Sequence, residues 1–132
     1  MKPNISDCPL IHSHFMRQDL PIVTFKDRGA LHQWLIDNHA ISPGVMVRVF
    51  KKHSHIVSVS FEDLLEEGLC FGWSESKRLS GNADYYLQQF TPRKTRGTAS
   101  ARNMRIAAKL IKEGRMNQVG LIALNISHLD SQ

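Results

Sequence analysis

Cysteine is scarce in this sequence: its 132 residues include two, Cys8 and Cys70, and the pair shares no motif spacing. A small scaffold stapled by disulfides needs more, so both are expected to be free thiols in a reducing compartment. No apolar run approaches the ~18 residues that a spanning helix requires. The stretch from Met1 to Pro21 has no apolar core of the kind a secretory signal carries. Internal repeats and a domain linker are missing too. These absences predict a single cytoplasmic domain with no membrane span. Its parts are an irregular arm over 1–20, a folded domain over 21–127 and a frayed tail over 128–132.

Carboxylates are scarce in the last third of the chain. Residues 1–90 carry nine lysines and arginines against ten acids, a net of −1, whereas residues 91–115 carry eight against Glu113 alone, a net of +7. The basicity is therefore local, and a local positive field attracts phosphate, nucleic acid or acidic partners. The competing reading is a solvated helix face. At 42% hydrophobic and 22% charged residues the composition suits an ordinary globular domain.

Apolar spacing sets out the elements. Pro21 to Phe25 is a β-branched strand, and Asp27 then caps a helix in which Trp34 and Leu35 face the core. Ser42-Pro43-Gly44 breaks the chain. Val45, Val47 and Val49 alternate as a strand ending at Lys51-Lys52. Ile56 to Val59 either extends the sheet or forms a hairpin with that strand. Ser60 caps a second helix with Asp63 in its first turn. Phe61, Leu64, Leu65, Gly68 and Leu69 form its packed face, and Glu62, Asp63, Glu66 and Glu67 lie mostly outside it. Gly68 is expected to admit another backbone, and Gly72 to close the helix in a left-handed conformation.

Trp73–Leu79 and Asp84–Phe90 then form an antiparallel hairpin across Ser80-Gly81-Asn82-Ala83. The expected pairs are Leu79 with Asp84, Lys77 with Tyr86, Glu75 with Gln88 and Trp73 with Phe90. Thr98 or Ser100 caps a long helix whose core stripe is Met104, Ala107, Leu110 and Ile111. Arg102, Arg105, Lys109 and Lys112 form a narrow opposite stripe. Gly114 ends that helix, and Asn117 starts a last short one docked by Leu121, Ile122 and Leu124. The sum is an α+β fold, a small, mainly antiparallel sheet packed by three to four helices.

Several blocks together carry a likeness. They are Trp34-Leu35 with Asn38-His39, Lys51-Lys52, Leu69-Cys70-Phe71-Gly72-Trp73, Phe90-Thr91-Pro92-Arg93, Ser100 with Asn103, and Gly114-Arg115-Met116 with Gly120. In this order the chain from Phe25 to about Leu124 resembles the bacteriocin-protection, YdeI/OmpD-associated family. The resemblance implies protection against bacteriocins and antimicrobial peptides, a phenotype more than a mechanism. Three of the blocks depart from the family pattern. Ser74-Glu75 stands for Ile-Asp, Ala99 for a tryptophan with Gly97 for a serine, and Asn117-Gln118 for Thr-Pro.

Three chemistries compete for these residues. Cys70 sits near the C-terminus of its helix, where the dipole opposes a thiolate, so a buried structural thiol is expected rather than a nucleophile. Glu75 and Arg93, with His39 nearby, can form an acid/base or anion-handling cluster, or Arg93 can merely tie the hairpin to the sheet. Arg93 to Arg96 lead into a helix N-terminus that favours anions, and the helix then carries its basic stripe, which suits anion or nucleic-acid binding. No cofactor or metal is expected, since His12-x-His14 and His53-x-His55 each offer two ligands without a third.

The reading that follows is a non-catalytic binding or stress-protection domain for an anionic ligand or protein partner. Its site is Trp73, Glu75 and Arg93, with Arg102, Arg105 and Lys109 beside them. The alternatives are a small enzyme or small-molecule binder using the Trp73/Glu75/Arg93 cleft, and a sequence-tolerant nucleic-acid or anion binder using 93–115.

Overall fold

A helix leaves its first backbone N–H groups unpaired, and a short polar side chain just before it can accept from them. Such a side chain begins all four helices in the computed structural model, which describes residues 20–126. Asp27 Oδ1 accepts from the Ala30 N–H at 2.9 Å and opens α1 (Arg28–Asn38). Ser60 and Asp63 exchange bonds of 3.1 Å in a reciprocal box that opens α2 (Phe61–Phe71). Ser100, rather than Thr98, opens α3 (Ala101–Lys112), and Asn117 opens α4 (Gln118–Ala123).

The strands are β1 (Ile22–Val23), β2 (Val45–Phe50), β3 (Trp73–Ser80) and β4 (Tyr85–Pro92), ordered β1-β2-β4-β3 in one sheet. β1 runs parallel to β2, and the other two pairings are antiparallel. The fold is α+β, a single domain with a mainly antiparallel sheet and four helices among the described residues. Val45, Val47 and Val49 turn to the helix-covered face with Phe90 and Trp73. There they meet Leu31 and Leu35 of α1, Leu64 and Leu69 of α2, and Ala107 and Leu110 of α3. Burying each of the larger aliphatic side chains contributes about 1.5–3 kcal/mol. Phe25, Trp34, Trp73 and Phe90 form a chain of ring contacts through this core, with centroids 5.1–5.7 Å apart.

Gly68 admits a neighbour as expected: a Cβ there would lie 2.9 Å from the Trp73 carbonyl oxygen and 3.0 Å from the Phe90 ring. Gly72 closes α2 at φ 76°.

Three expectations are corrected. The hairpin pairs Ser80 with Tyr86 and Leu79 with Leu87, then, past a bulge between Glu75 and Arg78, Glu75 with Phe90 and Trp73 with Pro92. This is three residues from the expected register near the turn and two at the base. Asn82 sets the turn, its Oδ1 accepting from the N–H groups of Asp84 and Tyr85 at 2.8 and 3.1 Å. The even displacement at the base leaves side chains on their expected face, so the Trp73 and Phe90 rings still meet at 5.1 Å.

Second, residues 56–59 form no strand; the Val59 N–H bonds to the Phe25 carbonyl and the Ser58 hydroxyl accepts from the Phe50 N–H. Third, Glu67 is buried at 3% exposure instead of lying outside the packed face of α2. Cys8, His12, His14 and the expected tail over 128–132 lie outside the described residues, as does the expected arm apart from Leu20.

Candidate functional site

The end of α2 positions the site. Gly72 turns the chain directly into Trp73, and its carbonyl accepts from the Arg93 N–H at 2.9 Å, which holds the end of β4 against the start of β3. On the other side α4 presses on the last turn of α2. A Cβ on Gly120 would lie 2.4 Å from the Leu69 and Cys70 carbonyl oxygens, and the Asn117 N–H donates to the Cys70 carbonyl at 3.1 Å. A bond from the Gly97 N–H to the Ala123 carbonyl (3.2 Å) fastens the β4–α3 loop onto α4.

Between these elements lies a pocket of about 290 Å³. Phe71, Trp73, Val119, Ile122 and Ala123 supply its apolar surface, and Arg93, Lys94 and Arg96 supply its cations. No carboxylate is among the described lining residues.

The expected site residues divide into three groups. Trp73 is 1% exposed, and its indole N–H donates to the His39 carbonyl at 3.3 Å, so it backs the pocket from the core. Glu75 and Arg93 are half-buried and lie near enough for the Arg93 charge to act on the carboxyl, but they form no ion pair. Glu75 Oε1 and Arg93 Nε are buried with no hydrogen-bond partner. Burial pushes the Glu75 carboxyl above the ordinary 4.5; its own backbone N–H, Arg93 and Arg102 offset this in part. Arg102 therefore joins the cluster electrostatically from the first turn of α3. Arg105 and Lys109 are exposed farther along α3 and do not line the pocket, and the Lys109 ammonium is 4.0 Å from Glu113.

A cluster absent from the sequence reading lies on the other side of α2. Glu67 accepts from Arg115 Nη2 at 3.1 Å and has His32 Nδ1 at 2.8 Å, with Arg28 Nε 3.9 Å away. Arg115 Nη1 meanwhile reaches Glu66 at 3.1 Å. Arg115 is thus committed to carboxylates, and the basic segment has one cation fewer to offer a ligand. On the helical wheel Glu67 falls between Cys70 and Phe71. Counting those two among the buried positions was the signal that could have placed Glu67 inside.

Cys70 itself is 1% exposed. Burial, then the Glu67 charge, pushes its thiol up to about 12, which leaves it protonated and poorly nucleophilic at neutral pH. His53 turns to a carboxylate that the sequence reading did not see, with Nε2 3.6 Å from Asp84 Oδ1. Among the described residues no three histidines, cysteines or carboxylates converge as metal ligands, and no helix is long and apolar enough to cross a membrane.

A family profile described as a domain of unknown function (DUF8412) matches residues 23–123. The chain belongs to this family. The matched span contains every described residue lining the 290 Å³ pocket, so the pocket is built within the family domain. No curated protein and no solved structure matches the chain.

Proposed function

We propose that the domain is a cytoplasmic, non-catalytic binder of small anions with an apolar body, held in the pocket between the β4–α3 loop and α4. One observation carries this reading: Arg93, Lys94 and Arg96 line a mainly apolar cavity, with His39 and Thr95 beside them and no described carboxylate, and Arg93 Nε is buried without a partner. A half-buried guanidinium with one nitrogen lacking an acceptor gains more from an incoming carboxylate or phosphate than a fully solvated one does. Val119, Ile122 and Ala123 complement the ligand's apolar part. Glu75 supports the same reading, since it forms no ion pair with Arg93 and its Oε1 has no hydrogen-bond partner. Protection against antimicrobial peptides, implied by the resemblance to bacteriocin-protection proteins, would follow if the bound anion is one that such peptides exploit.

Trp73 backs the pocket and reports on it. Titration with hexanoate should change tryptophan emission saturably, with weaker responses to acetate and none to hexylamine. Arg93→Gln should weaken hexanoate about tenfold or more, the loss of one charge-assisted hydrogen bond, while Lys109→Gln should leave it unchanged. Equal responses to hexanoate and hexylamine, or an unaltered Arg93→Gln protein, would refute the reading.

A further inference from the structure

The second cavity lies on the opposite face of the sheet. Residues that alternate with the buried set line it, Met46 on β2 and Leu87, Gln89 and Thr91 on β4, and it encloses about 940 Å³. Its apolar end is the cross-strand pair Leu79–Leu87. At the other end, past the tip of β4, stand Arg93 and Lys94, and Lys77 lines it from β3. None of its described lining residues is acidic. Arg93 lies six positions beyond Leu87, roughly 20 Å of extended chain at about 3.3 Å per residue.

We propose that this open sheet face is a docking groove for an extended acidic peptide segment of a partner protein, about six residues long, with alternating apolar side chains. Charge complementarity selects the occupant. Three cations border the groove and none forms an ion pair among the described residues, so a basic or neutral segment gains nothing there that an acidic one does not exceed. The length selects it as well. Positive charge recurs along the groove at Lys77 and again at Arg93 and Lys94, which suits repeated carboxylates better than one head group. An extended chain places alternate side chains on the same side, so one set can meet the Leu79–Leu87 pair while the carboxylates of the other set reach Lys77, Arg93 and Lys94 at the groove's borders. The groove shares Pro92, Arg93 and Lys94 with the smaller pocket, whereas Lys77 and Leu87 line only the groove.

The test is fluorescence anisotropy of the full chain with a labelled, capped hexapeptide of alternating leucine and glutamate. The expected result is saturable binding that weakens with added salt, with no binding of the leucine–lysine counterpart. Lys77→Glu should weaken the peptide about tenfold and Leu87→Ser measurably, with hexanoate binding unchanged in both. Lys77 is exposed, so its substitution leaves the core intact, which circular dichroism would verify. Equal binding of the two peptides, or indifference to Lys77→Glu, would overturn the proposal. So would a dimer of the free protein that Lys77→Glu dissociates, which would assign the groove to a second copy. Binding that emerges only after substitutions within residues 1–19 would assign it to the chain's own amino-terminal segment, and would overturn the proposal too.

Discussion

Glu67 carries a charge at a position where a leucine would pack. Its desolvation is offset by Arg115, with His32 at 2.8 Å and Arg28 farther off. Such a pair is a weak source of net stability but a costly thing to break, because the surviving partner stays buried and charged. Arg115→Met should therefore cost about 3 kcal/mol, the low end for a broken buried pair because His32 remains. Adding Glu67→Leu should recover most of that loss, as urea midpoints of the two proteins will show. Glu75 behaves differently, having no such partner. Its folded carboxyl titrates above the ordinary 4.5, so the unfolded chain loses this proton first as pH rises. Between the two titrations the folded state binds more protons, and stability falls with increasing pH. Glu75→Gln removes that dependence. Its stability relative to the wild type should rise between pH 4 and pH 7, and a flat difference in urea midpoints would contradict the assignment.

Helices and turns show how far local rules reach. The capping side chains of all four helices stand among those the sequence nominates, because a cap needs only a short polar side chain and an N–H two or three residues on. The hairpin register was not legible in the same way. It depends on Asn82 gathering two N–H groups and on a bulge whose freed Lys77 carbonyl accepts from the buried Gln88 amide at 3.1 Å. Neither the bulge nor Gln88's inward turn leaves a mark in the hydrophobic alternation. The contact between α2 and α4 is just as specific. A Cβ at Gly120 would press on two backbone oxygens at 2.4 Å, atoms that cannot rotate away. Gly120→Ala should thus destabilise by about 3 kcal/mol, the upper end for overpacking, despite the roughly 1 kcal/mol gained in helix propensity. A melting temperature equal to wild type would show that α4 can shift.

At the scale of the whole molecule, one core links the sheet to all four α-helices, and both tryptophans belong to it. Trp34 and Trp73 meet edge to face at 5.6 Å, while Cys70 is buried in the same cluster. Unfolding by urea should therefore shift tryptophan emission and expose the Cys70 peptide to iodoacetamide in a single coincident transition. Labelling of Cys70 in the native protein at neutral pH, before the emission changes, would mean that the end of α2 opens on its own. The charged surface divides around this core. Arg102, Arg105, Lys109 and Lys112 are exposed on α3, whereas Arg115 is drawn back to α2.

Short stretches of the chain specify the α+β class, the helix starts, the glycine at the end of α2 and the valine face of β2. Each depends on residues a few positions apart, where backbone geometry leaves little choice. Which charges meet depends instead on how distant segments pack. Arg115 lies 48 residues from Glu67, and nothing in either neighbourhood announces the pair. Arg93 and Glu75 are expected as a cluster at the two ends of the hairpin, but the hairpin path brings them near and leaves Arg93 Nε and Glu75 Oε1 each without a hydrogen-bond partner. Burial and long-range electrostatics are set by the path of the whole chain, and so the candidate site could be nominated from sequence but not assembled.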